Sequence, residues 1–227
     1  PANHVQLVQA GGIIEHYQRD LTVRVAAGMK IPDLQKALAE TNQFLPLDAD
    51  DDMTVGEVIV HNVYGPLRMG YGGCRDLLLG LHYIDGQARD IHVGGRTVKN
   101  VAGYDMTRFM VGSLGQMGIV YEATLRTYAV PDHVMVVQID LDDPGAVDQV
   151  LSDWMLTSAS PTWMQLQFSG ETWRLSIGYY GSEQATEVQT AALKQLITQQ
   201  DDMHLAQAAA CTLNDDLAER QLLRTWR

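Results

Sequence analysis

The chain has 227 residues, 46% of them hydrophobic, enough to bury one large core or two small ones, which excludes a disordered tail. Sixteen Lys and Arg against 28 Asp and Glu give a net charge of −12, which repels nucleic acid and anionic lipid from any sequence-independent contact. Two cysteines, Cys74 and Cys211, with no Cys-x-x-Cys and no zinc spacing, indicate neither a disulfide framework nor a structural metal, and point to a reducing compartment.

In chain order, the β-branched stretch Leu21 to Met29 reads as a strand, and "IPDLQKALAETNQ" follows with apolar residues at helical spacing and Pro32 in its first turn. The acidic run Asp48 to Asp52 reads as a solvated loop. A calcium loop started at Asp48 would need glycine where Met53 stands and glutamate where Ile59 stands. "MTVGEVIVHN" then suits a short helix that begins near Thr54 and Gly56. "RDLLLGLHYIDGQARDIHVGG" suits a hairpin: a strand from Leu77 to Ile84, the turn pair Asp85-Gly86, and a second strand near Ile91 to Val93. "IVYEATLRTYAV" is a further strand, apolar and polar by turns.

Beyond Pro131 the texture changes to "HVMVVQIDL", a helix from about Pro144 to Met155, "PTWMQLQFSG", "TWRLSIGYYG" and a helix from Ser182 to Gln199, the order β-α-β-β-α of a small layer with helices on one face. The domains expected are therefore 1–130 and 131–227. The seven histidines are scattered, with His82 and His92 on the hairpin, and no His-x-x-x-His pairing supports a metal. No apolar run approaches the roughly 18–20 residues of a membrane span, and the N-terminus lacks the basic-then-apolar order of a signal peptide, so the chain reads as soluble.

The stretch from Lys99 to Arg126 sets a question of its own. Gly103, Gly112, Gly115 and Gly118 sit among bulky apolar residues ahead of a strand. Glycine costs roughly 0.5–1 kcal/mol relative to alanine inside a helix or strand, so either two backbones pack closely here or something lies against the main chain. The spacing is not the Gly-x-Gly-x-x-Gly dinucleotide fingerprint.

"AGMKIPDLQKALAETNQFLP", "TVGEV", "GPLR", "RDLLLG", "DG" and "KNVAGYDMTRFMVGSLGQMGIV" follow one another in an order that resembles the FAD-binding domain of the vanillyl-alcohol oxidase type (PCMH-type), and within it the FAD-binding subunit of glycolate oxidase. The resemblance covers Leu21 to Pro131. It implies an α+β fold: the second subdomain of a PCMH-type FAD-binding domain, then the small β-α-β-β-α domain, in a fragment that lacks the first FAD subdomain. It implies FAD held on main-chain N–H groups, with Gly115, Gly118, Ile119 and Val120 along the cofactor and Thr54, Val55 and Gly56 as a second contact loop. Asn62, Gly65, Pro66 and Arg68 are either a third contact or an ordinary turn. Arg75 and Asp76 are either cofactor-binding or an ion pair at a strand start. Lys99 and Asn100 are either close to the flavin or solvated.

The activity implied is flavin-dependent oxidation of glycolate or a similar 2-hydroxy acid by a complex that also contains a sister flavin subunit and an iron–sulfur subunit. The location implied is cytoplasmic, with any membrane association made through those partners. No catalytic residue is assigned. The alternatives are a D-lactate-type FAD dehydrogenase of the same superfamily and a scaffold subunit that has lost its flavin. One departure bears on the last: the family's Thr-x-Gly-Gly is "TVGE" here, with Glu57 where a second glycine stands.

Overall fold

The computed structural model describes residues 11–95, 105–141, 143–155, 160–168, 170, 172–198 and 203–211. They fall into two compact units that divide between Val130 and Pro131. The structure is α+β with antiparallel sheets.

In the first unit, β1 (Ile13–Tyr17), β2 (Thr22–Ala26), β4 (Leu78–Ile84), β5 (Asp90–Gly94) and β6 (Ile119–Arg126) make one sheet in the order β1-β2-β6-β4-β5, every neighbouring pair antiparallel. Two-residue alternation explains its inner face: Val23 and Val25 on β2, Leu81 and Tyr83 on β4, and Ala123 and Leu125 on β6 are buried, with Arg24, His82 and Glu122 between them on the outer face. Strand β6 breaks the alternation once. His82 pairs with Glu122 but Tyr83 with Val120, so Tyr121 is an extra residue, and Val120 and Ala123 both reach the core.

Helix α1 (Ile31–Ala39) buries Ile31, Leu34 and Leu38 at helical spacing, with Pro32 in its first turn where a missing N–H costs nothing. Gln35 then clamps the chain after the two-residue strand β3 (Gln43–Phe44), its amide bonded to both the N–H and the carbonyl of Leu45. Strand β3 pairs with β7 (Tyr128–Ala129). Helix α2 (Val55–His61) buries Val55, Val58 and Ile59. The one-turn helices α3 (Arg68–Tyr71) and α4 (Cys74–Leu77) precede β4, and α5 (Met106–Met110) packs against β4 and β5.

Three expectations from the sequence change on this fold. The hairpin loop is not the two-residue Asp85-Gly86 turn: Ile84 pairs with Asp90, and the Asp85 carboxylate accepts from the N–H groups of Gln87 and Arg89 to close a five-residue loop. Leu77 ends α4 rather than opening the strand, so Arg75 and Asp76 are exposed helix residues, and Asp76 accepts from the Gly73 N–H at 2.9 Å. The acidic run is not uniformly solvated: Asp48 is enclosed and accepts from the Leu67 N–H at 2.9 Å, so burial pushes its carboxyl pKa up, more than that bond lowers it.

The second unit is a sheet in the order β11-β8-β10-β9, built from β8 (His133–Leu141), β9 (Trp163–Phe168), β10 (Trp173–Gly181) and β11 (Met203–Cys211). Helices α6 (Ala146–Met155) and α7 (Glu183–Thr198) bury Val147 and Leu193 against Val137, Ile139, Leu141, Leu175, Ile177 and Tyr179. The fourth strand, β11, extends the expected β-α-β-β-α order by one element.

Candidate functional site

Four segments of the first unit surround a cavity of about 730 Å³: Gly11 to Ile14, Ala26 to Gly28, the start of α2 (Thr54, Gly56, Glu57 and Val60), and Gly115 with Gly118 to Glu122. That volume lies within the range of small-molecule sites. Exposed Ile14 and Ile119 add apolar surface to it.

The glycines here do different things. A Cβ on Gly11, Gly12 or Gly115 would meet none of the described residues within 4 Å, so among them main chain at these positions is open to an approaching group; Gly115 has a φ of +73°. Gly56 instead lets α2 approach β2: its Cβ would stand 3.1 Å from the Ala27 Cβ, and its N–H donates to the Ala27 carbonyl at 2.8 Å. At Gly118 a Cβ would stand 2.5 Å from the Ile84 carbonyl oxygen and 2.8 Å from Tyr83 Cδ2. Gly118 lies along the cavity, but close packing on β4 is what demands a glycine there.

The start of α2 has no spare donors. The Val55 N–H donates to the Met29 carbonyl and the Gly56 N–H to Ala27, while Glu57 N–H donates to the Thr54 hydroxyl at 3.3 Å. In return Glu57 Oε2 accepts from both the N–H and the hydroxyl of Thr54, at 2.8 Å each, closing a capping box. These bonds, above all the one from the Thr54 N–H, hold the exposed Glu57 carboxyl below its usual range. Glu122, the other carboxylate on the cavity, faces Arg24 at 3.5 Å and His82 at 3.1 Å. Among the described residues that line the cavity there is no lysine, arginine or histidine.

Of the residues singled out from sequence, Thr54, Gly56, Gly115, Gly118, Ile119 and Val120 come together around this cavity. Val55 turns into the core. Asn62 ends α2 in a left-handed conformation, and Gly65 packs against Asp48, where a Cβ would be 2.5 Å from that residue's own Cβ. Arg68 lies over the Tyr64 ring at 4.8 Å. Arg75 and Asp76 stand on α4, away from the lining. Lys99, Asn100 and Gly103 lie outside the described residues. Sequence reasoning missed Gly11-Gly12, Ala27, Tyr121 and Glu122; the Gly-Gly pair ahead of a β-branched run was the available signal.

Comparison with known proteins shows what this chain is similar to. Residues 4–94 match the FAD binding domain family. Glycolate oxidase subunit GlcE of Escherichia coli (strain K12) is 28% identical over 148 residues, 64% of this chain and 42% of that subunit. Glycolate oxidase subunit GlcD of Bacillus subtilis (strain 168) is 31% identical over 67% of this chain and 33% of its own length. The mitochondrial D-lactate dehydrogenase [cytochrome] of Arabidopsis thaliana is 32% identical over 52% of this chain and 21% of its length. This chain thus spans less than half the length of each. In fold it is similar to a solved alkyldihydroxyacetonephosphate synthase, with a TM-score of 0.77 over 93% of this chain and 44% of that one at 16% identity. The FAD-binding resemblance read from the sequence holds, and FAD is the cofactor of the matched family.

The cavity fits one part of that cofactor better than another. Open glycine backbone and apolar walls suit flat, uncharged groups, and the carboxylates suit ribose hydroxyls as hydrogen-bond donors. A diphosphate finds no cation among the described lining residues and no free N–H at the start of α2.

Proposed function

We propose that this chain is the FAD-binding part of a flavin-dependent oxidoreductase that oxidises glycolate or a similar 2-hydroxy acid, working with a sister flavin subunit and an iron–sulfur subunit. The observation that carries this reading is that the family match at residues 4–94 includes three of the four segments around the cavity. The similarity to glycolate oxidase subunit GlcE supports the substrate class. The domains proposed are an FAD-binding domain over 1–130 and a cap-like α+β domain over 131–227.

Bound FAD supplies a hydride acceptor for the carbon that bears the substrate's hydroxyl. This chain's part is to hold and orient. The open main chain at Gly115 and Gly12 admits a ring at van der Waals distance, Ile14 and Ile119 shield it from water, and Glu57 and Glu122 offer acceptors to sugar hydroxyls. Electrons leave through the partner subunits.

A second reading is a subunit that keeps the fold without flavin. The committed donors at the start of α2 and the two carboxylates on the cavity favour it. Titration of the full chain with FAD, ADP and riboflavin separates the two. Binding of FAD and ADP without riboflavin supports the first reading, with the cavity taking the adenosine end of the cofactor, whose flat ring and ribose hydroxyls its walls suit. Absence of binding by all three overturns it in favour of the flavin-free subunit. Anaerobic bleaching of bound flavin by glycolate in preference to D-lactate then tests the substrate.

A further inference from the structure

On the outer face of the five-stranded sheet, His82 of β4 and His92 of β5 stand directly opposite one another, and their rings stack with centroids 3.8 Å apart and planes 8° from parallel. Charged groups converge on the pair from every neighbouring strand. From β6, Glu122 Oε2 lies 3.1 Å from His82 Nδ1, and the Tyr121 hydroxyl lies 3.1 Å from His92 Nε2. From β5, Asp90 Oδ1 is 3.1 Å from His92 Nε2 and accepts from the Tyr121 hydroxyl at 2.7 Å. From β2, Arg24 reaches Glu122 at 3.5 Å and Glu15 of β1 at 3.4 Å. The charged groups at α5, Asp105 and Arg108, pair with each other at 3.2 Å.

Two parallel imidazoles at this separation stack comfortably while one is neutral and repel each other when both carry a charge. Burial, and after it the neighbouring ring, pushes the His82 pKa down, although Glu122 and Asp90 pull it up. Tyr121, with its pKa pushed up to about 12 by burial and by its bond to Asp90, remains a hydroxyl donor throughout the neutral range. The extra residue of the β6 irregularity is this same Tyr121, and Tyr121 and Glu122 both line the cavity. The pair therefore holds the edge strand β5 and the cavity wall through one set of bonds.

We propose that the His82–His92 stack is an acid-opened clasp on that wall: it fixes β5 and the Tyr121–Glu122 segment while one ring is neutral, and releases them when both rings are protonated. The consequence for ligand, which rests on the FAD reading above, is that cofactor affinity falls on acidification. The sign follows from linkage. A histidine whose folded form prefers to be neutral binds fewer protons than in the unfolded chain, so stability falls as pH drops below about 6.5.

The test compares the full chain with His92→Phe, which keeps a stackable ring, cannot be charged and gives up the contacts to Asp90 and Tyr121, and with His82→Phe, which keeps a ring and gives up the contact to Glu122. Thermal unfolding is followed from pH 7.5 to 5.0, and FAD affinity is read at both ends. The clasp predicts that Tm falls more steeply with acidification in the parent chain than in His92→Phe, and that FAD affinity drops about tenfold in the parent and little in either variant. Equal slopes for parent and His92→Phe overturn the clasp. A lost slope with unchanged pH dependence of FAD affinity overturns its link to the cavity. Absence of FAD binding at both pH values counts against the functional reading, while the unfolding slopes still decide the clasp.

Discussion

Thr54 and Glu57 satisfy one another: Glu57 Oε2 accepts from the Thr54 N–H and hydroxyl, and the Thr54 hydroxyl accepts from the Glu57 N–H. A residue that breaks a family's glycine pattern thus starts its helix correctly. Glu57→Gly should cost about 1 kcal/mol through loss of the cap, a fall of about 2–4 °C in Tm. Glu57→Gln keeps an acceptor and should cost less. Because Glu57 also lines the cavity, where it offers an acceptor to sugar hydroxyls, Gln should weaken FAD binding. Unchanged affinity would make Glu57 a cap alone. The Glu57 pKa is lowered, so the cap's contribution is present above about pH 4.5 and is lost as pH falls through the lowered value.

Gly115 and Gly118 should respond oppositely to the same substitution. Gly118→Ala drives a methyl into the Ile84 carbonyl and should destabilise on the order of 1–3 kcal/mol whether or not cofactor is present. Gly115→Ala meets none of the described residues and should cost about 1 kcal/mol for its left-handed backbone, with loss of FAD affinity as its larger effect. Melting curves and FAD titrations on both variants check this. A reversed ranking would move the cofactor contact to Gly118.

Asp48 gives a pH dependence of the other sign. Burial raises its pKa, so the folded chain binds more protons than the unfolded one and stability declines as pH rises from about 4 through the raised value. Asp48→Asn keeps an oxygen to accept from the Leu67 N–H without burying a charge. It should raise Tm at pH 7 and give no advantage near pH 4. A lower Tm at both would show that the charge itself holds the turn at Gly65 to Arg68.

In the second unit, a Cβ on Gly178 would overlap the indole of Trp163, which is 1% exposed. Gly178→Ala should displace that ring, cost on the order of 1–3 kcal/mol and alter near-ultraviolet circular dichroism. An unaltered spectrum with an unaltered Tm would mean that the indole moves aside freely.

Elements whose local chemistry agrees with their packing are legible in the sequence. The α1 spacing, the alternation of β2 and β6, and all of β8 are there to be read. Strand β11 is not, because its "HLAQAAA" has weak strand propensity and is held by pairing along the edge of β8. The Asp85 loop departs from expectation because Asp-Gly favours a two-residue turn, while here the Asp85 side chain bonds two N–H groups further along. The glycine-rich segment declares that close approach is needed but not by what. Only the surroundings show that Gly118 faces β4 and Gly115 faces open space. The Thr54-x-x-Glu57 box is present in the sequence and is hidden by comparison with a glycine motif.

Strand β6 occupies the middle of its sheet yet is the last of its five strands in sequence, pairing Thr22 with Arg126 on one side and Leu78 with Leu125 on the other. Until residues 119–126 have left the ribosome, the β1-β2 and β4-β5 ribbons each present a bare edge with nothing to join them. A nascent chain halted at residue 94, the end of the matched family segment, would hold two half-sheets that pair with whatever strand they meet first. Assembly therefore waits on a closure that spans about a hundred residues, the kind of non-local pairing that slows folding and leaves strand edges exposed during synthesis.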